Sequence, residues 1–196
     1  MTDGFIIRHF ARLIAAFALV GVFSLISPAL ASDHADRCAA DGKAFKALKV
    51  SEKALPPPAV VFLTADGGET GLADFAGRGV IVNFWATWCA PCVREMPQLD
   101  ALRAELAPAG IDVIAVSMDR AGHKAVAGFY ERYEIRHLPQ LVTPSKTGGT
   151  LGIRGLPTTL LIDPEGREVA RIVGLFEYDA PESIEYFKRC LAPENS

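Results

Sequence analysis

The sequence predicts an α/β fold in which a central mixed sheet is flanked by helices on both faces. Residues 80–85 form a nearly continuous apolar run, which is typical of a central strand buried on both faces. Apolar residues then recur at helical spacing up to a second buried strand at 111–117, an order that requires a parallel crossover. Strands at 158–162 and 168–173 are joined by the turn 163–166, which predicts an antiparallel hairpin.

Composition limits the class of protein. Of the 196 residues, 50% are apolar and 22% are charged, a balance that excludes an intrinsically disordered chain and suits a single domain with an appendage. The net charge of −3 provides no basic surface for a polyanion, so we expect no nucleic-acid partner.

The N-terminal residues 1–31 predict a signal peptide. Arg8 and Arg12 are followed by an apolar run, and Ala29 and Ala31 form an end that suits signal peptidase. We therefore expect export to the periplasm, where disulfides persist. The alternative is an uncleaved anchor that tethers the protein to the inner membrane, because the apolar character extends to Ala31.

After the signal, the pattern predicts a polar, helical stretch at 32–53 and an extended proline-rich linker that ends the N-terminal segment 32–56. The main domain then covers 57–193 and opens with a strand at 60–64.

Two more helices and an insert complete this domain. Apolar spacing predicts one helix around 126–133 and a closing helix around 184–191. The insert at 135–154 is rich in loop residues, and we expect it on the surface.

Two cysteines separated by two residues, Cys89 and Cys92, lie between the strongest strand and the strongest helix. The free amide hydrogens and the dipole at the start of a helix favour a thiolate, which is the nucleophile in disulfide exchange. We interpret Cys89 as the exposed attacking thiol and Cys92 as the more buried resolving thiol.

A zinc site and a structural disulfide are the alternative interpretations of this pair. A structural zinc site needs four ligands, whereas His34, His123 and His137 stand alone in the sequence and are expected on the surface. A disulfide that closes so short a loop stabilises a fold only weakly. The pattern therefore favours a redox-active pair without metal.

The segment 82–92, which contains the run WCAPC, resembles the TlpA-like (ResA-like) branch of the thioredoxin superfamily, as do residues 94–97, 155–159 and 162–166. The resemblance covers residues 57–191. It implies a thioredoxin fold with an N-terminal β-hairpin extension, and an extracytoplasmic thiol-disulfide oxidoreductase.

The same resemblance implies roles for residues around the cysteine pair. Pro157 matches a catalytic-site proline that is cis and faces the two sulfurs, and the backbone of Leu156 would pair with an extended client segment. Client binding is therefore expected at Trp88, Pro91, Leu156 and Thr158.

Glu95 is the candidate proton carrier. It follows Cys92 by three residues, on the same side of the helix, and several relatives have an acidic residue at the matching position. Burial would raise its pKa and allow proton exchange with Cys92, whereas the alternative is a solvated glutamate in the first turn. Asn83 stands where other thioredoxins have a buried aspartate, and since an amide does not titrate, the proton role shifts towards Glu95.

The two remaining cysteines, Cys38 and Cys190, are 152 positions apart. A structural disulfide between them would tie the N-terminal segment to the domain. The alternatives are a free buried Cys190 and a Cys38 that pairs with another molecule.

These patterns together predict a periplasmic enzyme that reduces disulfides of client proteins through Cys89 and Cys92. It would need no cofactor beyond its redox-active disulfide and no metal, and it would take electrons from a membrane electron donor. The resemblance suggests clients in cytochrome c maturation or in the assembly of the oxidase copper site. The alternatives are an oxidase that donates its disulfide to folding proteins and a copper-binding metallochaperone.

Overall fold

A computed structural model describes residues 34–40, 42–143 and 147–193; the predicted signal peptide or anchor at 1–31 lies outside the described residues. Within the described residues, eight strands form one sheet. These strands are β1 (Leu48–Leu55), β2 (Val61–Thr64), β3 (Glu69–Gly71), β4 (Gly79–Trp85), β5 (Ile111–Ser117), β6 (Leu141–Val142), β7 (Thr158–Ile162) and β8 (Glu168–Val173). The helices are α1 (Ala90–Leu106), α2 (His123–Arg132), the short α3 (Thr147–Thr150) and α4 (Pro181–Leu191).

The sheet is mixed, as predicted. Its strand order is β1-β8-β7-β4-β5-β6-β2-β3. The β4–β5 and β5–β6 pairs are parallel, and the other neighbours are antiparallel. The β7–β8 hairpin and the crossover through α1 both lie where the sequence predicts them.

The predicted central strand is β4, and all seven of its residues are buried. Its side chains alternate between two hydrophobic layers, as the pleat of a strand requires. Ile81 and Trp85 contribute to one layer together with Leu99 of α1 and Phe187 of α4. Val82 contributes to the opposite layer. This burial on both faces fixes the end of β4, which holds the candidate site.

The expectation of a helical stretch at 32–53 is wrong over its second part. Leu48–Leu55 is the edge strand β1, with Leu48 opposite Ile172 of β8. Its many polar residues suit an edge strand that is open to solvent on one side. The segment predicted to end in a linker therefore adds a strand to the sheet of the main domain.

The expectation that the insert at 135–154 lies on the surface is also wrong in part. Leu141–Val142 forms β6, which joins β5 to β2 inside the sheet. Ile135, Leu138 and Leu151 are buried. The insert thus extends the sheet and the core, and the predicted N-terminal hairpin, β2–β3, is attached to the sheet through it.

The last helix fits tightly against the central strand. A Cβ atom added at Gly79, the first residue of β4, would overlap the carbonyl oxygen and side chain of Leu191 in α4. A glycine at this position therefore allows the close approach of strand and helix. In the described part of the chain, no helix combines the length and apolar character that crossing a membrane requires.

Candidate redox-active site

The Cys89–Cys92 pair lies where β4 leads into α1. Cys89 is the N-cap residue of the helix, and the amide of Cys92 donates a hydrogen bond to the Cys89 sulfur at 3.3 Å. The two cysteines form a disulfide with their Cα atoms 5.2 Å apart. Because the first amide hydrogens of a helix have no partner within it, this position favours negative charge on Cys89 when the disulfide is reduced.

Accessibility differs between the two cysteines. Cys89 is 7% exposed and Cys92 is 1% exposed, so Cys89 is the more accessible but is itself largely buried. Trp88, directly before the pair, is 70% exposed and is the most exposed large apolar side chain in the described residues. Pro91 lies half-buried in the first turn of α1.

A buried carboxylate anchors the loop before Cys89, and sequence reasoning missed it. Asp119 accepts hydrogen bonds from the amide and the hydroxyl of Thr87 at 2.9 and 2.7 Å, and from the Ser117 hydroxyl at 2.8 Å. Its position in the sequence, just after β5, could have indicated this role, because neighbouring parallel strands such as β4 and β5 end at the same edge of a sheet.

The loop before β7 contains the predicted cis proline. The Leu156–Pro157 peptide bond is cis, and the carbonyl of Pro157 accepts a hydrogen bond from the Gly174 amide at 3.0 Å. Leu156 is half-buried. Thr158 is 2% exposed, and its hydroxyl donates to the Gly155 carbonyl at 2.7 Å, so this side chain is engaged inside the protein.

Glu95 is buried one helical turn after Cys92. It is 2% exposed, and its Oε1 accepts a hydrogen bond from the Phe176 amide at 2.8 Å. Burial raises the pKa of Glu95 to about 7, while the Phe176 amide, the Arg94 charge and the Asn83 side chain lower it. Glu95 is therefore not the solvated residue of the alternative interpretation, and it titrates near neutral pH.

A polar network surrounds this carboxyl inside the core. Asn83 is 1% exposed and donates from Nδ2 to the Thr159 hydroxyl at 2.9 Å. Thr159 is in turn hydrogen-bonded to the Tyr178 hydroxyl at 2.6 Å. Burial, together with the charge of Glu95, raises the pKa of Tyr178 far above its ordinary value, so this phenol stays neutral. Glu95 is thus the member of this network that titrates near neutral pH.

A cavity of about 610 Å³ lies beside the buried carboxyl. Its lining combines residues of the N-terminal segment, of α1 and of the loop after β8. Its lining includes Lys43, Ala44, Arg94, Glu95, Phe176 and Glu177.

The other two cysteines are joined to each other. The Cys38–Cys190 disulfide connects the N-terminal segment to α4, with Cα atoms 4.6 Å apart. His34 belongs to the same region, and the expectation that it lies on the surface is wrong: it is 2% exposed and its Nε2 is hydrogen-bonded to the Ser51 carbonyl at 3.1 Å. Among residues 34–40, 42–143 and 147–193, no group of three or more His, Cys, Asp or Glu side chains is arranged to hold a metal ion.

Comparisons with known proteins agree on the fold and the family. The Redoxin family model matches residues 40–185. A thiol-disulfide oxidoreductase ResA of Bacillus cereus is 35% identical over 136 residues, which cover 69% of this chain and 76% of ResA.

Two solved structures give the same result. The thioredoxin domain of a thiol-disulfide oxidoreductase from Bacteroides vulgatus aligns with a TM-score of 0.60 and 26% identity, over 68% of this chain and 96% of that one. A thiol:disulfide interchange protein from Bacteroides sp. aligns with a TM-score of 0.56 and 25% identity, over 68% and 84%. The predicted thioredoxin fold is confirmed.

Proposed function

Because this chain belongs to the Redoxin family and is a thiol-disulfide oxidoreductase, we propose that it reduces disulfides of exported client proteins. One observation carries the proposal: the Cys89–Cys92 pair forms a disulfide at the start of α1, one turn before a buried carboxyl that titrates near pH 7. Thiol-disulfide exchange needs a thiolate nucleophile, which a helix start favours, and a nearby proton acceptor helps to form the second thiolate.

The proposed reaction starts from the reduced pair. The Cys89 thiolate attacks one sulfur of a client disulfide, so that a mixed disulfide forms and the client's other sulfur leaves as a thiolate. The Cys92 thiol then loses its proton and attacks the Cys89 sulfur. This second step breaks the mixed disulfide, releases the client with two thiols and leaves the Cys89–Cys92 disulfide, so two electrons have passed to the client.

Glu95 handles the proton of the second step. A carboxyl with a pKa of about 7 is partly ionised at neutral pH, so it accepts the Cys92 proton and returns it later at little cost in free energy. Asn83 lies in the same network but has no proton to exchange in this range. The position that holds an aspartate in other thioredoxins therefore supplies hydrogen bonds in this chain, and Glu95 supplies the acid–base group.

Clients bind at the surface around Cys89. Trp88 presents its exposed ring there, Pro91 flanks the pair, and the backbone of Leu156 offers hydrogen-bonding groups to an extended client segment. The resemblance further implies that Pro157, in its cis conformation, faces the two sulfurs. Thr158, whose hydroxyl is engaged with Gly155, contributes by fixing where β7 begins.

The protein works in the periplasm. Residues 1–31 direct its export, either as a signal peptide that is cleaved after Ala31 or as an anchor in the inner membrane. The pair is reduced again by a membrane electron donor. The resemblance to the TlpA-like branch suggests clients in cytochrome c maturation or oxidase copper-site assembly. Whether the signal is cleaved is tested by mass spectrometry of the exported protein, which distinguishes a chain that begins at Ser32 from an uncleaved one.

Insulin reduction by a small dithiol tests the proposed chemistry. Cys89→Ser and Cys92→Ser variants are expected to reduce insulin no faster than the dithiol alone. The matched control is the Cys38→Ser/Cys190→Ser variant, which loses the other disulfide and is expected to stay clearly above that background. Equal loss of activity in the site variants and in a control that remains folded would contradict the assignment.

The direction of electron flow has its own test. The equilibrium potential of the Cys89–Cys92 pair is measured against glutathione, with Cys38 and Cys190 left in place. A value near that of thioredoxin, about −270 mV, supports the reductase, whereas a value near that of the oxidant DsbA, about −120 mV, would contradict it.

A further inference from the structure

The N-terminal segment before β1, residues 34–40 and 42–47, is fastened to the domain at several points. The Cys38–Cys190 disulfide ties it to α4. Arg189 of α4 donates hydrogen bonds to the carbonyls of Arg37 and Ala39 at 3.0 and 2.9 Å. Such a set of contacts on a short segment holds it in one place against the domain.

The segment contributes one aromatic ring to the core, that of Phe45. This half-buried ring lies 5.1 Å from the ring of Tyr186 and 6.0 Å from that of Phe176, between centroids. Phe176 also contacts Tyr178 and Phe187, at 5.2 and 5.9 Å. Phe45 is thus the outer member of an aromatic cluster whose inner members belong to α4 and to the loop 174–178.

The loop 174–178 connects this cluster to the redox site. The backbone amide of Phe176 donates to Glu95, and the amide of Tyr178 donates to Gln98 of α1 at 3.3 Å. At the start of the loop, the Gly174 amide donates to the carbonyl of Pro157. A shift of this loop would therefore move a hydrogen-bond donor away from Glu95.

The segment also forms part of the wall of the cavity beside Glu95. Lys43 and Ala44 of the segment line it together with Arg94, Phe176 and Glu95. Removing the segment, or loosening it, would open this cavity and expose Glu95 to bulk water.

We propose that Phe45 is a positioning residue for Glu95: its ring holds the loop 174–178 against α1 and thereby keeps the carboxyl both hydrogen-bonded to Phe176 and shielded from water. This role rests on the proposed function of Glu95 as the proton carrier. It gives the N-terminal segment and its disulfide a part in the chemistry as well as in stability.

The charges around Glu95 determine what loss of the ring does. Arg94 on the same helix lowers the pKa of Glu95, and Lys43 and Glu177 face the cavity with opposite charges. All three remain when Phe45 is truncated. Because burial is the largest cause of the raised pKa, entry of water lowers it from about 7 towards the ordinary value of 4.5. Loss of the Phe176 hydrogen bond alone would raise the Glu95 pKa. Because water then takes the place of the amide as donor, the pKa still falls.

The test is a ¹³C NMR titration of the Glu95 carboxyl in the oxidised protein, compared among Phe45→Ala, Phe45→Leu and Phe75→Ala. Phe75 is the matched control. Phe45 and Phe75 are both half-buried last residues of short 3₁₀ helices, Lys43–Phe45 and Leu72–Phe75, but Phe75 packs against the opposite hydrophobic layer. We expect the Glu95 pKa to fall in Phe45→Ala, to fall less in Phe45→Leu, and to stay near 7 in Phe75→Ala.

The same variants are then compared in the pH profile of insulin reduction. Glu95→Gln is expected to remove one ionisation from this profile. In Phe45→Ala, the same ionisation is expected at a lower pH than in the wild type. An unchanged Glu95 titration in Phe45→Ala, or an equal shift in Phe75→Ala, would overturn the inference and leave the proposed role of Glu95 standing. A wild-type pH profile that Glu95→Gln does not alter would instead overturn the proton role and the inference with it.

Discussion

Replacing Glu95 by glutamine is expected to make the oxidised protein more stable above neutral pH. The carboxyl titrates near 4.5 in the unfolded chain and at about 7 in the folded protein. The folded state therefore binds more protons across this window, and stability falls as the pH rises through it. A difference of this size corresponds to about 3 kcal/mol, and since Glu95 is 2% exposed, solvent screens little of it.

Glutamine suits this experiment because it keeps an oxygen acceptor for the Phe176 amide while it removes the charge. Urea unfolding of the oxidised wild type and of Glu95→Gln is measured at about pH 4 and about pH 8. We expect nearly equal free energies of unfolding at the lower pH and a gain of about 3 kcal/mol for the variant at the higher pH. The same variant should reduce insulin more slowly.

An exposed glutamate on α2, Glu131, provides the control. Because its side chain is exposed to solvent, Glu131→Gln is expected to change the free energy of unfolding at about pH 8 by much less than Glu95→Gln does. A Glu95→Gln effect that does not depend on pH would refute the reasoning, because it would mean that the folded and unfolded states bind the Glu95 proton equally.

Three further predictions concern the framework around the site. Removing the second disulfide with Cys38→Ala/Cys190→Ala should lower the free energy of unfolding by as much as about 5 kcal/mol, because the closed loop is long. Thr87→Val should cost about 1.5–3 kcal/mol and slow insulin reduction, because the loop before Cys89 loses a hydrogen bond to buried Asp119. Gly79→Ala should destabilise the protein by about 1–3 kcal/mol, because the added Cβ overlaps Leu191.

The predictions for Thr87 and Gly79 each have a matched control variant. The free energy of unfolding is measured by chemical unfolding for every variant and control. Thr70→Val removes a similar bond, to Asp74, but at an exposed site, and should cost less than about 1 kcal/mol without slowing the reaction. Gly128→Ala adds a methyl group to open space on α2 and should stabilise it by about 0.5–1 kcal/mol. A loss of stability in either control equal to that of its partner variant would contradict the assigned contacts. An unchanged free energy of unfolding in Cys38→Ala/Cys190→Ala would contradict the role of the second disulfide.

The predictable part of the fold is the part that is buried on both faces. The strands β4, β5 and β7 are mostly apolar because nearly all their residues are buried, so their sequences indicate strands directly. In contrast, β1 contains Lys49, Glu52 and Lys53, because an edge strand is solvated on one side. A surface helix would have a similarly polar sequence. Only the pairing of β1 with β8 in the folded protein distinguishes an edge strand from such a helix.

The site divides in a similar way. The positions of Cys89 and Cys92 follow from local sequence, because a strand, a turn and a helix start are all encoded nearby. The environment of Glu95 does not, because its hydrogen-bond donor, the Phe176 amide, lies far away in the sequence. Asp119 was missed for the same reason: its donor, Thr87, belongs to a neighbouring strand end.

The most direct test of the account is to trap the natural client. In the proposed reaction Cys89 attacks first and Cys92 resolves, so a full-length Cys92→Ala variant expressed in an exporting host should accumulate client proteins linked to it by a disulfide. After alkylation of free thiols, mass spectrometry of the unreduced protein is expected to find these links at Cys89, with Cys38 and Cys190 still joined to each other. Client links at Cys38 or Cys190, or an equal yield from Cys89→Ala/Cys92→Ala, would contradict the claim that electrons pass through the Cys89–Cys92 pair.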